Sequence, residues 1–261
     1  LLSASKVLAK QRMKHTTPAT EYDLSQVIGN FAAAANRAVD AVFDCIELHF
    51  GHGYLVSNFL SPKLNTRDDR WGGSLENRAR LAREVAKRVR DAVGNRTAII
   101  AKLNMADGVA GGFWLDESVP VAQMLEADGA LDALELTGGS SFENPMYLFR
   151  GEAPVHEMAQ MFPKAMRLGF KLTASRFMPS YPFEEAFFLP YARQFREAVD
   201  MPLILLGGIT KLETARQALD EGFEFVAMGR ALLREPDLLR RWQSGDSHGE
   251  SLCIQCNKCM P

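Results

Sequence analysis

The run His49-Phe50-Gly51-His52-Gly53-Tyr54 carries two imidazoles three residues apart and a phenol two residues further on. Imidazole N–H groups can hold an oxygen that gains charge during a reaction, and a phenol beside them can deliver a proton. The same pair could ligate a metal, which needs a third ligand that is not evident nearby, or simply satisfy buried hydrogen bonds. A second group is Gly207-Gly208 with Gly229-Arg230. Glycine amides and a guanidinium in consecutive loops are the material of a phosphate site. Lys102 stands inside an apolar run, where spacing alone reads it as a lysine snorkelling to the surface, with a Schiff-base lysine as the functional rival. Cys253, Cys256 and Cys259 form two C-x-x-C steps that share the middle residue. Such thiolates suit zinc or an iron–sulfur cluster, but four ligands are normally required and Cys45, inside a strand-like run, is a poor fourth.

The elements around these residues alternate in type. Short apolar runs with flanking glycines, at 42–49, 98–103, 133–136, 202–206 and 223–228, read as strands. Leu75, Ala79, Ala82, Val85, Val89 and Val93 recur three or four apart between charged residues, which predicts an amphipathic helix. Residues 24–42 read as another helix. Thr210 with Glu213 predicts a capping box opening a helix that ends near Gly222. Residues 1–23 and about 140–183 lack a clean period and read as long loops with short helices. Repeated strand–helix alternation means a mainly parallel α/β sheet. No G-x-G-x-x-G follows the first strand, and polar or glycine-rich signals follow four strand ends, so a (β/α)8 TIM barrel is favoured over an open doubly wound sheet. Five strands make that barrel incomplete.

Composition narrows the class. Hydrophobic residues are 47% and charged residues 24% of 261, enough for a sizeable core and too apolar for a disordered segment. Thirty basic against thirty-two acidic side chains, a net charge of −2, offer no broad attraction to nucleic acid. No apolar run nears the roughly 18 residues of a membrane span. The sparse, clustered cysteines point to a reducing, cytoplasmic setting. The chain opens on Leu1 with no secretion-signal pattern and stops two residues after Cys259, so it reads as a piece of a longer protein.

The stretch from Phe43 through His49-Phe50-Gly51-His52-Gly53-Tyr54-Leu55, Phe59-Leu60-Ser61-Pro62, Asn65, Arg67 and Trp71-Gly72-Gly73-Ser74-Leu75-Glu76-Asn77-Arg78 resembles the Old Yellow Enzyme family. These are FMN-dependent NAD(P)H oxidoreductases that include ene-reductases and 2,4-dienoyl-CoA reductases. The resemblance continues through Lys102-Leu103-Asn104, Leu136-Thr137-Gly138-Gly139, Leu206-Gly207-Gly208, Met228-Gly229-Arg230 and Glu235-Pro236-Asp237. It covers nearly the whole chain, from the fourth barrel strand to just past the eighth, as one FMN-binding barrel domain over 1–261 whose N-terminal part is missing.

The resemblance implies roles by position. His49 and His52 match the pair that hydrogen-bonds the substrate's activating group, and Tyr54 matches the proton donor. Lys102 stands where the family carries a basic residue facing the flavin N1 and C2 carbonyl, which replaces the snorkelling reading. Gly208, Gly229 and Arg230 match the site for the FMN phosphate. The implied activity is reduction of activated C=C bonds of a small-molecule substrate, with NAD(P)H as co-substrate, hydride passing from flavin N5 and a proton from Tyr54. Oxidative demethylation by the same site and a non-catalytic barrel fragment are the alternatives. A phosphate-sugar aldolase or isomerase barrel would share the glycine loops but not the His-x-x-His-x-Tyr run. Two departures stand out: the family's first three strands have no counterpart before Leu1, and the cysteine spacing is one residue shorter than in dienoyl-CoA reductases that bind a 4Fe-4S cluster. An iron–sulfur cluster is not the favoured reading, a homo-oligomer is left open, and residues 162–182 read as an insertion that could shape the substrate pocket.

Overall fold

The computed structural model describes residues 1–9, 14–245 and 249–260. Near the start, β1 (Leu2–Ser3) pairs in parallel with β4 (Thr17–Pro18), and β2 (Leu8–Ala9) pairs antiparallel with β3 (Lys14–His15). Five longer elements then form one all-parallel sheet in chain order: β5 (Cys45–Phe50), β6 (Ala98–Ala106), β7 (Ala133–Gly138), β8 (Leu203–Leu206) and β9 (Phe225–Ala227). Helices connect the strands, so the architecture is an incomplete α/β barrel.

Each strand has two faces, set by the two-residue alternation of side chains. Leu48 and Phe50 of β5 and Ile99, Ala101 and Leu103 of β6 are buried toward the helices. The opposite face carries Glu47 and His49 on β5, Lys102 and Asn104 on β6, and Glu135 and Thr137 on β7. Register pairs His49 with Lys102, Lys102 with Glu135, and Asn104 with Thr137. Polar groups therefore run in rows across the inner face.

Helix α1 (Glu21–Asp40) opens on a capping box made by Thr20 and Asp23. After β5 comes the short α2 (Leu55–Leu60), and then α3 (Leu75–Val93), capped by Ser74, which accepts from the Asn77 N–H at 3.3 Å. The spacing prediction for α3 is met: Ala79, Ala82, Val85, Val89 and Val93 are all buried, each valine contributing ~1.5–3 kcal/mol. The Trp71–Arg78 motif is a brace between these helices. Asn65 donates to Phe59 O at 2.8 Å and Trp71 O at 2.7 Å, and buried Arg78 reaches Leu60 O and Glu117. Glu117 lies in α4 (Leu115–Ala127).

Two expectations need correction. The stretch 140–183 holds more helix than read from its weak periodicity: α5 (Pro145–Phe149), α6 (Val155–Gln160) and the fourteen-residue α7 (Lys164–Phe177). Residues 10–13 of the predicted N-terminal loop lie outside the described residues. Beyond α8 (Leu189–Ala198), helix α9 (Leu212–Asp220) is not opened by a Thr210–Glu213 box. Glu185, distant in sequence, takes that place: its carboxylate accepts from Thr210 N at 2.7 Å, Lys211 N at 3.0 Å and the Thr210 hydroxyl. A tertiary acceptor thus replaced the local one. The chain continues through α10 (Arg230–Arg234) and α11 (Leu238–Gln243). Among the described residues, no helix is long and apolar enough to cross a membrane.

Candidate active site

The C-terminal ends of the strands surround a cavity of about 510 Å³, within the roughly 300–1,000 Å³ of small-molecule sites. His49, His52 and Tyr54 line it from the β5 end, and Gly208, Gly229 and Arg230 from β8 and β9. Six of the seven residues singled out from sequence therefore meet in one space. Its remaining walls include Leu148, Phe149 and Phe187, and among the described residues none of 162–182 lines it.

His49 ends β5 with its ring on the inner face. The Gly51 N–H donates to its Nδ1 at 3.4 Å, so in the neutral ring the proton sits on Nε2. The His49 and His52 ring centroids are 4.9 Å apart and nearly perpendicular, and Tyr54 lies 5.2 Å from His49. Tyr54 remains 45% exposed, open to whatever enters the cavity.

His52 adopts φ +62, the left-handed region that non-glycine residues rarely enter. Several bonds hold it there. Its N–H donates to Asn104 Oδ1 at 3.0 Å, its carbonyl accepts from Ser141 N at 3.0 Å, and its Nε2 lies 2.8 Å from Thr137 Oγ1. Asn104 is fully buried and is itself fixed by Asp107 Oδ1 at 2.8 Å and Gly139 O at 3.0 Å. A break in the β6–β7 register between Asn104 and Ala106 falls at this point. Gly53 follows at φ +76, where a Cβ would stand 2.7 Å from Ser140 Oγ.

Burial and neighbouring positive charge disfavour the protonated form of both imidazoles. Burial, then the neighbouring His49 and Lys102, push His52 down to about 3. Burial and Lys102 likewise lower His49, against the opposing pull of Glu47. Neutral rings can act as hydrogen-bond donors without adding a charge to the cavity.

Lys102 does not line the cavity. Its ammonium is drawn down the inner face between Glu135 Oε1 at 2.9 Å and Glu47 Oε2 at 3.1 Å. Burial alone would lower its pKa, but hydrogen bonding and attraction to Glu135, with help from Glu47, outweigh this and raise it.

At the other end, half-buried Arg230 donates to Arg150 O and Asn257 Oδ1 and lies over the Phe149 ring. Among the described residues it makes no carboxylate ion pair. Burial lowers its pKa. A desolvated cation bonded only to neutral oxygens fits an anion. The position of a Cβ on Gly229 is open space, so its backbone is accessible from the cavity. Gly208, at φ +74, packs so close that a Cβ would lie 2.6 Å from the Phe187 ring.

Sequence reasoning missed Asn104, Thr137 and Asn257. The first two were visible only as neighbours of Lys102 and the Gly138-Gly139 pair. Asn257, inside the cysteine run, is buried and donates to Arg150 O at 2.7 Å and Glu152 O at 2.9 Å. It pins the C-terminal segment, and with it Gln255, against the cavity wall. The cysteines are free thiols, and among the described residues no group of three or more His, Cys, Asp or Glu side chains has the geometry to hold a metal ion.

This constellation stands at the strand ends of an α/β barrel. Residues 3–135 match the profile of the NADH:flavin oxidoreductase / NADH oxidase family, and the chain belongs to that family. It is 54% identical over 260 residues to a 4,4'-dithiodibutanoate disulfide reductase of Rhodococcus erythropolis, covering 100% of this chain and 64% of that protein. It is 31% identical over 238 residues to a multifunctional alkene reductase/demethylase of Caballeronia cordobensis, covering 91% of this chain and 31% of that one. The fold matches the structure of 2-naphthoyl-CoA reductase in complex with 2-naphthoyl-CoA, with a TM-score of 0.79 at 24% identity over 98% of this chain and 34% of that chain. The chain thus spans between about one third and two thirds of these proteins.

Proposed function

We propose that this chain forms one FMN-binding barrel unit that reduces a small electrophilic molecule at the expense of NAD(P)H. The observation that carries this reading is the single cavity shared by His49, His52 and Tyr54 at one end and Gly208, Gly229 and Arg230 at the other. Arg230 and the backbone of Gly208 and Gly229 would hold the FMN phosphate, because a half-buried guanidinium without a carboxylate partner needs an anion. When bound, FMN supplies a hydride to the substrate.

The protein's own residues then determine what can accept that hydride. The Nε2–H of His49 and the ring of His52 hold the electronegative atom of the acceptor and stabilise the charge that develops there. Tyr54, beside them and exposed to the cavity, delivers a proton. For an enone or related activated alkene, the histidines hold the carbonyl oxygen, the hydride adds at the β-carbon and Tyr54 protonates the α-carbon.

A second acceptor is favoured by the 54% identity to a disulfide reductase along the whole chain. In an organic disulfide the hydride adds to one sulfur, the S–S bond breaks, and the second sulfur leaves as a thiolate. The two imidazoles stabilise that thiolate and Tyr54 protonates it, so one disulfide, one hydride and one proton yield two thiols.

The test is the visible spectrum of the natural gene product with FMN, reduced anaerobically by NAD(P)H and then mixed separately with an enone and with a dicarboxylic alkyl disulfide. Tyr54→Phe is expected to leave flavin reduction intact and to slow reoxidation by the preferred acceptor at least tenfold. Equal loss in both half-reactions would refute the role of Tyr54. Failure to retain FMN would refute the cavity assignment.

A further inference from the structure

A cluster of charged side chains crosses three strands of the inner face, in register with the His49 row. Lys102 stands in the same row as His49 on β5 and Glu135 on β7. Its ammonium is shared by two carboxylates at 2.9 and 3.1 Å, with only 19% of the Lys102 side chain and 10% of the Glu135 side chain exposed. Lys102 and Glu135 are packed where desolvation opposes their charged forms, whereas Glu47 is more open to solvent. Two negative groups for one positive group leave the cluster with an excess of one negative charge. Burial raises Glu135, and the adjacent Glu47 adds to this while Lys102 opposes it.

From this geometry we infer that Glu47 and Glu135 are positioning residues that hold Lys102 and set how much of its positive charge reaches the flavin. The inference rests on the proposed function, with FMN in the cavity, and on the family resemblance that sets Lys102, which stands behind the cavity lining, toward the flavin N1 and C2 carbonyl. A free ammonium there would favour the electron-rich form of the flavin. Two carboxylates at hydrogen-bond distance cancel much of that field and restrain the side chain from extending into the cavity. The arrangement is a charge set by three strands at once: one glutamate from β5, the lysine from β6 and one glutamate from β7. Glu135 is the stronger partner, being closer and more buried than Glu47, whose side chain is 32% exposed.

The midpoint potential of bound FMN, measured spectroelectrochemically at saturating FMN, reads this directly. Glu135→Gln is expected to shift the reduced-to-oxidised ratio at fixed potential at least tenfold toward reduced, about +30 mV for a two-electron couple. Glu47→Gln is expected to shift it in the same direction by less, and provides the measurement should Glu135→Gln not fold. Lys102→Met is expected to shift the ratio toward oxidised. In the Lys102→Met background, adding Glu135→Gln is expected to move the ratio less than threefold, because neighbouring carboxylates without the ammonium take up a proton. A shift with Lys102→Met but none with either glutamate variant would overturn the inference while leaving the flavin placement intact. A glutamate effect of equal size in both backgrounds would also overturn it, since the carboxylates would then act on the flavin without Lys102. No shift in any of the three variants would overturn both the inference and the placement of the flavin beside Lys102.

Discussion

Replacing His52 by asparagine should flatten the acid side of the stability curve. In the folded protein, burial and the neighbouring His49 and Lys102 push the His52 imidazole down to about 3, whereas an unfolded histidine titrates near ~6.5. Between those values the unfolded chain binds a proton that the folded chain refuses, so stability is lost as pH falls below ~6.5 and the loss levels off near 3. At ~1.4 kcal/mol per pH unit, the His52 contribution at pH 5 is a loss of about 2 kcal/mol relative to pH 7.5. Because the ring is only half-buried, solvent screening reduces this to about 1–2 kcal/mol. Asparagine tolerates the left-handed backbone at this position and can still hydrogen-bond Thr137, so the substitution removes the titration with little disturbance of the loop. Urea unfolding at pH 7.5, 6 and 5 measures the difference. The expected result is that the wild-type protein loses about 1–2 kcal/mol more than His52→Asn between pH 7.5 and 5. Equal losses in the two proteins would refute the claim that folding keeps this imidazole neutral.

Other perturbations test separate parts of the site. Arg230→Met removes a charge-assisted contact worth ~1.5–3 kcal/mol, so FMN dissociation constants from flavin fluorescence should rise roughly ten- to hundredfold. Asn257→Ala should destabilise the fold by ~1–3 kcal/mol, because the Glu152 carbonyl loses its donor and the Arg150 carbonyl loses one of two, and urea midpoints will show it. Arg78→Met removes the donor to Leu60 O and the partner of part-exposed Glu117 and should cost ~1–3 kcal/mol on the same assay, with hydrogen exchange accelerated in α2 and α3. Thr137→Val should raise the KM for the acceptor severalfold while leaving FMN affinity within twofold, because it releases the His52 ring and touches nothing at the Arg230 end.

Much of the scaffold could be read from residues because its signals are local. Helix α3 follows from one apolar stripe, and the five strands from short apolar runs bounded by glycine. What failed were features whose partner is distant in sequence. Glu185 opens α9 in place of Glu213, and Asn104 holds the strained His52 backbone from fifty-two residues away. Helix α7 escaped notice because Met166, Leu168 and Leu172 are exposed, so its apolar residues do not line a buried stripe. The histidine pair and the glycine loops were legible as chemistry, but only the fold places them in one cavity.

Lys102 shows why residue type and position do not suffice to assign electrostatic behaviour. By spacing it belongs at the surface, and by resemblance it faces a flavin. In the fold its ammonium is held by Glu47 and Glu135, which stand on strands 55 residues before and 33 residues after it. The same alternation that aims His49 at the cavity aims Glu47, two residues earlier, at the layer beneath, and register brings Glu135 level with Lys102. Lys102 therefore arrives on the inner face of this barrel with its counter-charges attached. Swapping Lys102 for arginine would alter both at once, since a planar fork engages two carboxylates differently from a point charge. The charge beneath the cavity is a property of three strands in register, which is why it follows from the sheet and not from any one motif.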